Sequence, residues 1–174
     1  HLEIFKQKNI EVLLLSDRVD EWLVANFGEY EELPFKSIAK GDLGDLDSKK
    51  GKKEKEKTTK DFEKVITKVQ EVLKDQVKEV KISSRLSESP SCLVADENEL
   101  GSNMERIMKS LGQDIPDTKP ILEINPTHPL VEKLKKKVDE DLVKVLFDQA
   151  VLSEGGQIKE PAEFVKRMNK LMLG

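Results

Sequence analysis

The sequence predicts an α+β protein: a truncated α/β piece, a charged linker, and a second domain with a three-stranded sheet and several helices. Three observations lead there. Charged residues make up 37% of the 174 and aromatics only 5%, a balance that favours long surface helices over a β-sandwich. The composition breaks sharply between residues 41 and 60. The last 45 residues carry apolar stripes at helical spacing. The length suits one domain, or one with part of a second.

The first forty residues read as a helix end, a strand, a helix and a strand. Leu2, Ile4 and Phe5 lead to Asn9, a residue suited to a left-handed position after a helix. The run Ile10–Leu15 suits a strand covered on both faces. Ser16 can cap a helix bearing Val19, Trp22, Leu23 and Phe27, which Gly28 stops. Phe35–Ile38 is a second candidate strand. The opening His1-Leu2-Glu3 lacks the form of a secretory signal.

Residues 41–58 form the linker. Between Asp47 and Lys60 seven lysines (49, 50, 52, 53, 55, 57 and 60) face three acids, Asp47, Glu54 and Glu56. Such a stretch has little means of packing. An alternative function, a nucleic-acid-associated adaptor using residues 49–60, rests on these lysines. No aromatic is interleaved with them and the net charge is −4, so a solvated linker is the preferred reading.

The second domain spans residues 59–174. Phe62, Val65, Ile66, Val69, Val72 and Leu73 make one face of a helix. Val80, Ile82, Ser84 and Leu86 alternate as in a strand, Ser87–Pro90 is a turn, and Cys92–Ala95 is a returning antiparallel strand. A helix over 99–111, closed by Gly112, carries Leu100, Met104, Ile107, Met108 and Leu111. Spacing alone favours core packing for that stripe. Two of the chain's four methionines lie on it, however, and methionine suits surfaces that accept varied apolar partners. Ile121–Ile124 is a third strand, ended by Asn125-Pro126. Leu130, Val131, Leu134 and Val138 form a further helical stripe.

The helix over 141–153 is apolar on more than one side. Gly155-Gly156 ends it, and Pro161 opens a terminal helix with Phe164, Val165, Met168, Leu171 and Met172. Two helices from each of two chains, packed as a four-helix bundle, would bury both stripes; packing inside one chain is the competing reading. Catalysis finds little support. His1 and His128 have no metal-ligand spacing, His128 reads as a surface or capping residue, and Cys92 as a small buried hydrophobe. Neither a dinucleotide fingerprint nor a P-loop is present. One cysteine and no long apolar run suggest a reducing, cytoplasmic setting without membrane spans.

Several segments resemble the ninety-kilodalton heat-shock chaperones of bacterial type. Ile10–Trp22, with its Leu13-Leu14-Leu15-Ser16-Asp17-Arg18-Val19-Asp20-Glu21-Trp22 wording, is similar to the family's late middle domain. Ser83–Pro90 and Leu122–Leu130 resemble C-terminal-domain motifs, and Asp148–Ala150 and Arg167–Leu171 resemble the last two helices. The resemblance implies that residues 1–40 end a middle domain and that residues 59–174 are a C-terminal dimerisation domain. It implies ATP and magnesium binding in an N-terminal domain outside this chain, so that the chain itself has no ATPase activity and no cofactor. It further implies self-association through Leu142, Val145, Leu146, Gln149, Phe164, Met168, Leu171 and Met172. Non-native client proteins are expected to bind at Trp22, Met104, Ile107, Met108 and Leu111. The resemblance sets Ala25 near Trp22 where bacterial relatives carry a client-contacting asparagine, so the polar contact there is not carried over. Neither membrane nor nucleic-acid partners are expected.

Overall fold

The structure is a computed structural model that describes residues 1–17, 19–43, 49–97, 99, 102–114 and 118–174. It is a mixed α+β arrangement. Among the described residues there are two small sheets and no barrel.

The larger sheet has three strands, β1 (Glu79–Ile82), β2 (Ser91–Val94) and β3 (Ile121–Ile124), with β3 in the middle. β3 runs parallel to β1, with Val80 beside Leu122, and antiparallel to β2, with Cys92 beside Glu123. The returning strand therefore does not pair with the one before it. Residues 83–90 carry the chain over two strand spacings, about 10 Å, and leave a slot that β3 later fills. The alternation expected to continue through Ser84 and Leu86 ends at Ile82, where the chain turns into this crossover.

One sheet face presents Val80, Ile82, Leu122 and Ile124 to the main core. Helix α1 (Lys49–Val72) lays Phe62, Val65 and Val69 on that face, and Leu73 just beyond its end joins them. The periodic stripe placed this face correctly. The helix nevertheless begins at Lys49, well inside the stretch read as linker. Lysine and glutamate are good helix formers, so the segment needs no core to be helical. Helix α2 (Pro129–Lys136) adds Val131 and Leu134, and α3 (Glu140–Ser153) adds Leu142, Val143, Leu146 and Ala150. Lys135 Nζ sits 4.0 Å from the Phe62 ring centre, a cation–π contact.

The caps explain where these helices start and stop. His128 Nδ1 accepts from the Leu130 amide at 3.2 Å, so this histidine is the N-cap of α2. Asp139 does the same for α3 through the amides of Asp141 and Leu142. At the C-terminus of α3 the Gly155 amide reaches Leu152 O and the Gly156 amide reaches Val151 O. That is the Schellman pattern, with Gly155 at φ +73°. Helix α4 (Pro161–Leu173) opens on Pro161, as expected, and packs along α3. Helix α5 (Ser102–Ser110) falls inside the span predicted for it, and Gly112 follows at φ +77°.

The first forty residues depart most from expectation. Helix α6 (Glu3–Gln7) ends before Asn9, which has the predicted left-handed φ of 52°. The expected strand over Val12–Leu15 is irregular, and Leu13, Leu14 and Leu15 are exposed. A doubly covered strand needs sheet neighbours and two covering layers, and the described residues supply no strand beside it. Helix α7 (Asp20–Asn26) starts later than Ser16 suggested, without a side-chain cap. Phe35–Ile38 is not a strand either. A two-residue hairpin, β4 (Glu29–Tyr30) with β5 (Leu33–Pro34), precedes it and turns through Glu31 and Glu32, both at positive φ. The α/β layer expected here is therefore absent among the described residues.

Candidate functional site

Two surfaces carry the candidate residues. The first comprises α7 and α5. Trp22 on α7 is half exposed, with Val19, Leu23 and Phe27 similarly open around it. The Asn26 side-chain amide donates to Trp22 O at 2.7 Å and steadies the last turn. With Leu13, Leu14 and Leu15, these side chains place most of the exposed large hydrophobics found among the described residues between 10 and 35, the kind of surface that marks an interaction site.

On α5 and in the turn just after it, the four candidates separate. Met104 and Ile107 are buried, Met108 is half-buried and Leu111 is exposed. Two of the four are thus rooted in the protein, as spacing alone suggested, and the other two present apolar surface. Leu100, the first residue of that stripe, lies outside the described residues. Trp22 and the α5 residues sit on two separate elements and differ in exposure.

The second surface is the α3–α4 pair. Leu142, Val145 and Leu146 are buried within the single chain, where α3 meets β2, α1 and α4. The breadth of apolar surface on α3 is thus largely taken up by its own chain. Apart from the exposed Leu152 of α3, the remaining surplus is on α4, which has no fully buried residue. Phe164, Met168 and Leu171 are half-buried, whereas Val165, Met172 and Leu173 are exposed. Gln149 on α3 is half-buried beside Ala150.

Charges fix how α4 lies on α3. Arg167 reaches Asp148 at 3.7 Å, Glu160 at 3.9 Å and Asp141 at 4.0 Å, and Lys170 pairs with Asp141 at 2.5 Å. The Lys170 hydrogen bond lowers the Asp141 pKa, while burial raises that of Asp148. Single exposed pairs contribute little to stability, but the Arg167 guanidinium reaches both Asp141 and Asp148 of α3 and so bears on the register of α4 along it, while Glu160 belongs to the start of α4 itself.

Sequence reasoning missed a buried ion pair on the other sheet face. Arg85 has no exposed surface; its Nε and Nη2 donate to the two Glu123 carboxylate oxygens at 2.9 and 3.0 Å. Ser83 Oγ donates to the same carboxylate at 2.8 Å. A glutamate in the otherwise apolar Ile121–Ile124 strand was the available signal, but its partner lies 38 residues away. Cys92, beside Glu123, is buried, and burial together with that carboxylate pushes its thiol pKa up to about 12. A thiol held protonated is a poor nucleophile. Among the described residues no group of three or more His, Cys, Asp or Glu side chains could hold a metal, and no helix is long and apolar enough to cross a membrane.

Sequence comparison defines the class to which this architecture belongs. The chain is a member of the Hsp90 protein family, whose model matches residues 1–174. It is 76% identical over 172 residues to the chaperone protein HtpG of Ruthia magnifica subsp. Calyptogena magnifica, covering 99% of this chain and 28% of that protein. It is 55% identical to the HtpG of Nitrosomonas europaea and 48% identical to that of Colwellia psychrerythraea, with 99% of this chain covered in each case. The chain spans 28% of the first relative and 28% and 27% of the other two.

Proposed function

We propose that this chain is the part of a bacterial-type Hsp90 chaperone that joins two copies of the protein and offers apolar surface to non-native clients. The family match over the whole chain is the observation that carries the reading. The partly open apolar stripe of α4 supports self-association, with Phe164, Met168, Leu171 and Met172 as its contacts and Gln149 of α3 beside them. Leu142, Val145 and Leu146 would support that face from beneath, since they are buried in their own chain. A stable interface would bury at least about 1,000 Å² in total. Trp22, Met108 and Leu111 offer open apolar surface to clients, with Met104 and Ile107 anchoring α5.

ATP and magnesium chemistry is assigned to the remainder of the protein. The setting is taken as cytoplasmic. Joining two copies would keep two client-binding surfaces at high effective concentration.

Light scattering over a concentration series tests the assembly. The expected mass is that of a dimer, falling to a monomer in a Leu171→Asp/Met172→Asp variant that keeps its helical circular dichroism. A monomer mass at micromolar concentration would overturn the self-association reading. Substituting Trp22 and Leu111 with serine is expected to weaken suppression of client aggregation at unchanged mass; undiminished suppression would remove those residues from the client surface.

A further inference from the structure

Arg85 spends only part of its hydrogen-bonding capacity on Glu123. Its Nη1 donates to Ile38 O, and its Nη2 donates to Gly41 O at 2.6 Å. Both carbonyls lie in the connection that leaves the first forty residues. That connection also pairs with the chain just past β2: the Ala95 amide donates to Ala39 O at 3.1 Å, and the Gly41 amide to Ala95 O at 3.0 Å. The bridge is parallel, with Lys40 beside Ala95. Gly41 adopts φ +56°, and a Cβ there would sit 3.2 Å from Glu97 Cβ. Both the turn and the close approach therefore suit glycine. Leu43, two residues on, is buried.

A second attachment lies on the same stretch of chain. The Ile4 amide donates to Arg85 O at 3.2 Å. The Glu3 carboxylate accepts from the amides of Ser87 at 2.6 Å, Glu88 at 2.7 Å and Ser89 at 3.2 Å. Residues 85–89 thus hold both ends of the first segment, α6 through the backbone and the 38–41 connection through a guanidinium.

We infer that Arg85, oriented by Glu123, is a clasp that fastens residues 38–41 beside β2 and holds the first forty residues and the three-stranded sheet as one body. This conformational device is independent of the self-association and client readings. A guanidinium with no exposed surface must keep its partners, because an unpaired buried donor is costly. The two carbonyls and the Ala95 bridge are therefore released together. The joint behaves as a two-state lock rather than a continuous bend, and its opening would change the direction of the first segment relative to the sheet.

Hydrogen exchange read amide by amide tests this on the protein carrying Arg85→Met/Glu123→Met, which removes both charges and leaves neither unpaired. The clasp predicts at least tenfold faster exchange at Gly41 and Ala95, with Leu122 and Ile124 in β3 still protected. Unchanged rates at Gly41 and Ala95 would overturn it, and so would equal acceleration at Leu122 and Ile124, which would make the pair a support of the sheet alone. Should the double variant fail to fold, Gly41→Ala decides. The clasp then requires the Ala95 amide and the Arg85 Nη–H groups, which hold Ile38 O and Gly41 O, to exchange faster together; a faster Ala95 with unchanged Arg85 Nη–H exchange would refute it.

Discussion

Replacing Leu146 by alanine separates the chain's own core from its proposed contact surface. Leu146 is 2% exposed and sits in the main cluster with Phe62, Leu122, Leu134 and Ala150. The change removes three carbon groups at about 0.8 kcal/mol each, or about 2.4 kcal/mol of transfer free energy. A cavity contribution adds to this, because α3 is held by β2, α1 and α4 and cannot readily collapse into the space. The expected loss is about 3–4 kcal/mol, which lowers Tm by roughly 6–16 °C in a chain of this size. Met172→Ala, at a position 69% exposed, should change the stability of the single chain by less than about 0.5 kcal/mol. Urea unfolding at one fixed protomer concentration gives both values, and repeating it at a tenfold lower concentration separates association from folding. A loss below about 1 kcal/mol for Leu146→Ala would refute the packing argument. So would an equal loss for Met172→Ala at the lower concentration. The same contrast disqualifies Leu146→Asp as a probe of association, since a carboxylate there would disrupt the fold before it disrupted any contact between chains.

Glu3→Gln should lose stability at neutral pH and lose much less of it near pH 2. Partial burial opposes ionisation of Glu3, yet hydrogen bonds from Ser89, Glu88 and Ser87 outweigh it and lower the pKa from 4.5 to about 2. A carboxyl depressed on folding stabilises above its unfolded pKa and ceases to as pH falls through the folded one. The difference between the two proteins should therefore shrink between pH 4.5 and 2 in denaturant unfolding, and a constant difference would contradict it. At the end of α3, Gly155→Ala should cost about 1–2 kcal/mol through its left-handed backbone. Gly156→Ala should cost about 1–3 kcal/mol by crowding, because its Cβ would lie 2.8 Å from Val151 Cγ1; thermal unfolding measures both. Cys92, with a thiol pKa of about 12, should react with a disulfide reagent at pH 8 at least a hundredfold more slowly in the folded protein than in urea.

Where side chains act locally, the sequence was legible. Asn9 has a left-handed conformation because its short polar side chain tolerates one. Pro161 opens its helix because its fixed φ suits a first turn. The Phe62–Leu73 stripe and the Ile121–Ile124 strand were visible as periods of helix and strand. Among the candidate site residues, the open stripe of α4 was legible in the same way, because an amphipathic helix declares its apolar face wherever it docks. The split of the α5 stripe was not: burial of Met104 and Ile107 depends on what lies over them, which spacing does not encode.

What the sequence by itself determined, then, is a set of helices and strands, their apolar faces and the family they resemble. Tertiary structure alone decided how they associate. It placed β3 between β1 and β2, because strand pairing depends on where distant segments meet and not on their order. It left Val12–Leu15 irregular, since a buried strand exists only with neighbours to cover it. It absorbed most of the apolar surface of α3 within one chain and left the surplus on α4. It also joined Arg85 to Glu123, Ile38 and Gly41, an arrangement in which a buried charge is satisfied by partners 38 to 47 residues away in either direction along the chain.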